Sequence, residues 1–396
     1  MTFASGIPGD RGANVKSTPL AASYAAALRE LDNDDRLRSL KPRAGIDFSS
    51  NDYLGLANCP RMRKAVLAAV EAGTPIGAGG SRLLRGNCAE HESLEAEAAR
   101  FFGAEASLYF ASGYVANFAV LTTLPQRGDL LVLDQLVHAS IHEGARAGRA
   151  EFRFYAHNDA NSAEDVIRSW RAEGGTGRIW IVAESLYSMD GDFAPLDALN
   201  DVADQHDAFL MIDEAHATGV FGPNGRGLTA AYEGRENLIA IHTCGKALGA
   251  AGALVTTTNL LRDFIVNRCR PFIFSTAPSP LMAVAVLEAL SILRDEPGRQ
   301  QHLQGLIDVA RRQINAREGW RLSGSQIMPF IVGDNARAMA LAAALQARGF
   351  DIRGIRPPTV PAGTARLRVS LTNNVSESDV RAMLAAVAEE TAGEGQ

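Results

Sequence analysis

The sequence predicts an α/β protein: a mainly parallel β-sheet with helices on both faces, followed by a smaller α+β unit. Three observations carry this. Short apolar runs alternate with longer helical patterns between Ser107 and Thr257. Runs such as IWIVAE and AFLMIDE are continuously apolar, as strands buried on both faces are. Beyond Ser279 the alternation gives way to long helices and isolated strands. Repeated β-α alternation builds a parallel sheet.

Taken in order, Leu20, Tyr24, Ala27, Leu28 and Leu31 share one face of a helix after a polar lead of twenty residues. Strands are expected at Ser107–Phe110, Leu130–Leu133, Glu151–Tyr155, Arg178–Glu184, Ala208–Asp213, Leu238–Thr243 and Gly252–Thr257. Helical spacing lies between most of them, at Glu90–Phe102, Tyr114–Leu124, Ala139–Ala147, Ser162–Arg171 and Pro195–Gln205. The C-terminal part reads as helices Leu281–Leu293 and Gln301–Ala316, then strand Gln326–Val332 and helix Ala336–Arg348. A short strand near Asp351–Gly354, strand Arg366–Ser370 and helix Glu377–Glu390 complete it. A length of 396 residues allows two or three domains. The expected division is a helical arm at 1–45, a large seven-stranded domain at 46–285 and a small α+β domain at 286–396.

A formal charge of −6 argues against a general nucleic-acid binder. No run approaches the ~20 apolar residues of a membrane span, and the polar N-terminus lacks a signal-peptide core. Cys59, Cys88, Cys244 and Cys269 form no CxxC pair and are too sparse for a disulfide framework, so a cytoplasmic setting is expected.

The sharpest motif is MIDEAHATGVFG, at the C-terminal end of a buried strand, where ligands of open α/β sheets gather. Asp213 and His216 lie there, and a buried carboxylate needs a partner. DEAH also occurs in helicases, but their GxxxxGK[ST] loop is absent; Gly245-Lys246 is followed by Ala247. Lys246 sits among glycines and alanines in HTCGKALGAAGA, so desolvation should lower its pKa and free an amine for Schiff-base chemistry. The alternative is a lysine snorkelling from a small-residue loop. Ser112-Gly113-Tyr114 opens a helix after a strand, a start suited to phosphate. His138 and His142 have HxxxH spacing without a third zinc ligand, and a core or stacking histidine fits better, so no metal is expected. The Ile76–Asn87 stretch, IGAGGSRLLRGN, fails the dinucleotide fingerprint and reads as a mobile glycine-rich loop or a turn. Arg356, Arg366 and Arg368 are guanidinium candidates for a carboxylate. The last two share a strand face and also suit a solvated surface. Together, the strand-end acid, the histidine, the lysine and the helix start meet the needs of pyridoxal 5'-phosphate. Lys246 would be its covalent partner, Asp213 its ring-nitrogen partner, His216 its ring-oxygen partner and His138 its stacking partner.

These residues resemble the α-oxoamine synthases, within the aspartate-aminotransferase-like fold type I of pyridoxal-phosphate enzymes. The resemblance runs from about Leu20 to the last helix. It rests on FSSNDYLGL (48–56), GAGGSRLLRGN (77–87), SLYSMDGD (185–192), DEAHATGVFG (213–222), Thr243–Lys246 and FIFSTAPSP (272–280). It implies catalytic roles for Lys246, His138 and Asp213. It implies cofactor contacts from Ser112, Gly113, Tyr114, Ser188, His216 and Thr243, with Thr276 lent by the second subunit of a homodimer whose active sites lie at the interface. Asn51 and Arg356 would hold the amino-acid carboxylate, and Glu184 would support His138. The stretch IRPPTVPAGTARLR is most like members that condense L-alanine with a pimeloyl thioester, on CoA or acyl-carrier protein, in biotin biosynthesis. The implied activity is therefore a PLP-dependent acyltransferase. The alternatives are a sister synthase using glycine or serine with another acyl-CoA, an aminotransferase, or a non-catalytic cofactor-binding paralogue. Cys244, beside the lysine, departs from the family pattern and predicts thiol sensitivity.

Overall fold

The computed structural model describes residues 19–315 and 323–392. The N-terminal lead up to residue 18 and the C-terminal tail from 393 lie outside them. After an outlying strand, β1 (Ile46–Asp47), seven strands form the expected sheet: β2 (Ala106–Phe110), β3 (Leu130–Asp134), β4 (Glu151–Tyr155), β5 (Ile179–Glu184), β6 (Phe209–Asp213), β7 (Leu238–Thr243) and β8 (Ala253–Thr257). Their order is β2-β8-β7-β6-β5-β3-β4. β3 to β7 run parallel, and β8 is antiparallel to both of its neighbours.

Helices α1 (Ala22–Asn33) and α2 (Pro60–Glu71) precede the sheet. α3 (Ala89–Phe101) leads into β2, and α4 (Gly113–Thr123), α5 (Ala139–Ala147), α6 (Ala160–Ala172) and α7 (Leu196–Gln205) are interleaved with the strands. α8 (Asn259–Arg268) and α9 (Arg270–Ile273) follow. The two faces of β5 show why its sequence does not alternate in polarity. Trp180 and Val182 join a core with α4 and α5, whereas Ile179, Ile181 and Ala183 join one with α6 and α7. Each face removes apolar area from water at roughly 25 cal/mol per Å².

The C-terminal part begins with α10 (Pro280–Asp295) and α11 (Gly298–Asn315). It continues with β9 (Ile327–Gly333), α12 (Asn335–Ala347), β10 (Phe350–Asp351), β11 (Arg353–Ile355), β12 (Ala365–Ser370) and α13 (Glu377–Ala392). β11, β12 and β9 form an antiparallel sheet, and β10 pairs parallel with β1. The single short strand expected near Asp351 is thus split at the fully buried Ile352. The expected sequence pattern had no counterpart for β1, α2, α8 or α9. β1 exists only through its distant partner, and Pro60 at the start of α2 is that helix's clearest local signal.

Three further sequence features take definite form in the structure. The apolar stripe of α1 lies on the surface: Leu20, Tyr24 and Leu28 are exposed among the described residues. Of the two readings of the Ile76–Asn87 stretch, the turn is the one seen, tied down rather than loose. Buried Arg82 forks onto Glu95 at 2.7 and 2.8 Å and reaches Asn87. A Cβ at Gly86 would meet Gly80 O at 2.1 Å. Cys244 is fully buried, and desolvation raises its thiol pKa, which makes it inert rather than thiol-sensitive.

Candidate active site

The C-terminal ends of the parallel strands open into a cavity of about 390 Å³. It is lined by Asn51, Ser112, Gly113, Tyr114, His138, Asp213, His216, Thr243 and Lys246, joined by Asn117 and Glu184. Ten residues singled out in the sequence, Glu184 among them, therefore converge from six chain segments. Each stands at or a few residues past a strand end, where the ladder stops and the chain turns.

β2 ends at Phe110, and Ser112 caps α4 by accepting from the Val115 N–H at 3.2 Å. The side chain is spent on its own helix, while the Gly113 and Tyr114 amides belong to the first turn, which has no intrahelical partners. Gly113 is required there: a Cβ would meet Thr243 Cγ2 at 2.4 Å.

Asp213 ends β6, nearly buried, and accepts from the Ala215 N–H at 2.8 Å and from Asn117 Nδ2 at 2.7 Å. The second proton of that amide goes to Ser140 Oγ at 3.0 Å. Ser140 Oγ lies 2.8 Å from His138 Nδ1, which also accepts from the Ser140 N–H at 3.2 Å. Nδ1 is thus an acceptor and the His138 proton sits on Nε2. Burial lowers the His138 pKa against the pull of Asp213. Asn117 and Ser140 were missed in the sequence, although a lone amide in the apolar helix GYVANFAVLTT was a usable signal.

Lys246 Nζ lies 2.7 Å from His216 Nε2, and His216 Nδ1 lies 2.6 Å from Tyr53 Oη. Tyr53 Oη donates to Asn51 Oδ1 at 2.9 Å. One assignment satisfies all three contacts: Tyr53 gives its proton to Asn51, His216 gives its Nδ1 proton to Tyr53, and Nε2 accepts from the lysine. Burial, with Lys246 and Arg368 nearby, drives the His216 pKa well below its usual value and keeps the ring neutral. Burial lowers Lys246 to about 8 against the pull of Asp213 and Glu184, with Arg368 pushing further down. Glu184 faces Asp213 in register on the neighbouring strand. Burial and the Asp213 charge push its carboxyl pKa well up, and its Oε1 has no hydrogen-bond partner.

Three predicted residues stand apart from the cavity. Arg356 turns its guanidinium to the Asp35 backbone oxygen beside the arm. Thr276 lies on the surface. Ser188 contributes its backbone oxygen to Arg368 Nε at 2.5 Å. Arg366 and Arg368 are not surface charges: they are 3% and 7% exposed. Arg366 reaches Asp190 at 2.5 Å, and Arg368 also lies 3.5 Å from Tyr53 Oη, behind the His216–Lys246 pair. His142 packs against Phe154, with ring centroids 5.3 Å apart. Among the described residues no group of three or more His, Cys, Asp or Glu is arranged to hold a metal, and no helix is long and apolar enough to cross a membrane.

Comparison with known proteins agrees with this architecture. The chain is 44% identical over 359 residues to the 8-amino-7-oxononanoate synthase of Cupriavidus metallidurans, covering 88% of this chain and 87% of that one. A solved serine palmitoyltransferase from S. paucimobilis with bound PLP–myriocin aldimine superposes with a TM-score of 0.85 at 26% identity, covering 94% of this chain and 98% of that one. The 8-amino-7-oxononanoate synthase structure from Francisella tularensis gives a TM-score of 0.75 at 28% identity, covering 88% and 98%. Residues 43–387 match the family Aminotransferase class I and II. With the strand-end lysine, acid and histidines in one cavity, the chain belongs to the class I and II aminotransferase family, on its α-oxoamine synthase branch.

Proposed function

We propose that the protein condenses L-alanine with a pimeloyl thioester, releasing CO₂ and the free thiol and giving 8-amino-7-oxononanoate for biotin synthesis. The observation that carries this is the single cavity joining Lys246, Asp213, His216 and His138 at the foot of α4. The 44% identity to a relative named for that product supports the choice of substrates.

The residues fit pyridoxal 5'-phosphate. Gly113 leaves a cradle that a Cβ would fill, and the first amides of α4 suit a phosphate dianion. Glu184 Oε1 and Asn117 Oδ1 are buried without partners in the cavity wall. Bound there, the cofactor supplies an aldehyde for covalent capture and a cationic ring that accepts the electrons of the substrate's breaking bonds.

The chain's own groups do the rest. Lys246, lowered to about 8, holds an appreciable neutral fraction at neutral pH and serves as the nucleophile. Its neighbour His216 Nε2 is an acceptor that orients the amine and would meet the ring hydroxyl. Asp213, held by Asn117 and the Ala215 amide, would keep a proton on the ring nitrogen. His138, fixed through Ser140 to the same Asn117, would cover the ring. Freed by substrate, Lys246 takes and returns the proton at the amino acid's Cα. Arg368 is the better carboxylate partner than Arg356, because it is buried beside Tyr53 and Asn51 on the lysine's side of the cavity. Burial of His216 and Tyr53 beside the half-buried Lys246 limits water on that side.

We further propose a homodimer completed at the cavity mouth. Exposed Tyr114 and Phe274 flank the cavity residues and Thr276, and Leu83, Leu84 and Ile76 lie in the adjoining glycine-rich stretch. Ala277 N and Ser279 Oγ bond to Gly80 O and Ile76 O, which makes one surface of the two segments. Such apolar exposure marks an interface, and the stripe on α1 adds to it. Four free cysteines suit a reducing cytoplasm.

A second reading has one observation in its favour: the 0.85 superposition on a serine palmitoyltransferase. Thiol release, measured with alanine, glycine and serine against pimeloyl and palmitoyl thioesters, separates the two. Turnover with alanine and the pimeloyl thioester is expected. Preference for serine with the palmitoyl thioester would replace the first reading by the second.

A further inference from the structure

Behind the cavity lies a polar cluster that the reaction above does not use. Asp134, at the end of β3, is fully buried. His157, just past β4, places Nδ1 2.8 Å from Asp134 Oδ1 and Nε2 2.8 Å from Asp192 Oδ2. Both ring nitrogens face carboxylate oxygens, and carboxylates only accept, so both nitrogens carry protons. Asn158 repeats the bridge: its N–H donates to Asp134 Oδ2 at 2.9 Å and its Nδ2 to Asp192 Oδ2 at 2.8 Å. The Tyr187 ring stands edge-on to His157, centroids 4.4 Å apart, and the buried Tyr155 and Tyr187 hydroxyls have no hydrogen-bond partner. Asp134, Asp192, Tyr155 and Tyr187 are the titratable groups that the contacts place around the imidazole.

The 188–192 turn that carries Asp192 is also gripped from its other side. Arg368 Nε donates to Ser188 O at 2.5 Å, and Arg366 Nη1 reaches Asp190 Oδ1 at 2.5 Å and Met189 O at 3.3 Å. Ser325 Oγ donates to Gly191 O at 2.7 Å. Gly191 has φ +67°, and a Cβ there would meet Ile327 O at 2.4 Å. The turn is therefore the joint where β9 and β12 of the C-terminal sheet meet the strand ends of the large one. His157 is its anchor on the large-sheet side, and Arg368 bears directly on it.

We propose that His157, as a doubly protonated cation bridging Asp134 and Asp192, is a positioning residue that latches the 188–192 turn and thereby sets Arg368 for the amino-acid carboxylate. This deepens the function proposed above and rests on it for the role of Arg368. Burial opposes the charge, but the two carboxylates outweigh it and raise the His157 pKa to about 10. The latch is thus fully formed below the usual histidine value and is lost as pH rises through about 10.

The test compares wild type with His157→Gln, which keeps a hydrogen-bonding side chain but no charge. Misplacement of Arg368 should raise KM for alanine on the order of ten- to a hundredfold. Uniform binding is what is lost, so kcat and the thioester KM should move by less than about threefold. A purely structural role would lower the melting temperature and leave the KM of active enzyme unchanged. Nuclear magnetic resonance of the full chain without cofactor should show the His157 imidazole titrating near 10 rather than ~6.5. A folded His157→Gln enzyme with unchanged KM, or an imidazole titrating near the usual value, overturns the latch. If His157→Gln does not fold, Asp192→Asn decides: a raised alanine KM supports the latch and an unchanged one sinks it. If wild type releases no thiol with alanine, the proposed function fails, and the imidazole titration alone judges the latch.

Discussion

The cavity lining and the layer behind it are two walls built on different principles. The large-sheet wall presents Asp213, His216, His138 and Lys246, each within a few residues of a strand that ends in the cavity. The second wall, behind them and outside the cavity lining, comes from β12, whose Arg366 and Arg368 arrive from the far end of the chain. A strand end in a parallel sheet is an address that local sequence gives away, because an apolar run stops at a polar residue. A guanidinium delivered by a second sheet has no such address, since its role exists only once the two sheets meet at the 188–192 turn.

The largest effect that tests this contrast lies on the first wall. Lys246→Ala removes the amine proposed to capture the cofactor and move the substrate proton, so turnover should fall on the order of 10⁴-fold. Weak cofactor binding should persist through the amides of α4. Steady-state thiol release and cofactor absorbance measure the two separately, and near-normal turnover would remove Lys246 from its role.

On the second wall, Arg368→Gln and Arg356→Gln form the discriminating pair. Losing a charge-assisted hydrogen bond costs about 1.5–3 kcal/mol, which corresponds to a KM for alanine raised roughly ten- to a hundredfold. Arg356→Gln should change it by less than a tenth of that, because its guanidinium is turned to the Asp35 backbone. The reverse ranking would restore Arg356 as the carboxylate partner.

A smaller effect follows from charge. Burial lowers Lys246 to about 8 from its ordinary value near 10.5. The folded protein therefore favours the neutral amine above about pH 8, and its stability gains as pH rises from there towards the unfolded value. The rate at which apo-protein captures the cofactor aldehyde should climb about tenfold per pH unit below 8 and level off above it. A rate still climbing at pH 10 would mean that the amine is solvated.

β2, β3 and β5 to β8 were legible because both faces are buried, which leaves largely apolar runs, whereas the edge strand β4, EFRFY, is mostly exposed or half-buried and alternates charged and aromatic residues. β1, of two residues, was not legible, because it exists only by pairing with β10 some three hundred positions away. Asp213, His216 and Lys246 were legible from their strand ends. Asn117 was not, because its two donated bonds, to Asp213 and Ser140, come from separate elements. In RLRVS the spacing of Arg366 and Arg368 gives their shared face and not whether water covers it. Only the turn carrying Ser188 and Asp190 decides that.

Cys244 and Arg368 make the same point in opposite directions. Cys244 is two residues from the lysine, yet its side chain enters the core formed with Leu54, Leu56 and Leu254, and its exposure is 0%. Arg368 is over a hundred positions away and bears on the lysine's electrostatics. Distance along the chain thus misleads on both counts. Cys244→Ala removes one small buried group and leaves a cavity smaller than a methylene-rich truncation would, so a loss of about 1 kcal/mol in stability is expected. The kcat should stay within a factor of about two, because nothing that touches substrate has moved. Treating native wild type with a maleimide should spare Cys244 for the same reason, since a buried thiol with a raised pKa offers no thiolate. Rapid modification of Cys244 with parallel loss of activity would show that the lysine loop opens, and the wall assigned to rigid strand ends would have to be counted as mobile.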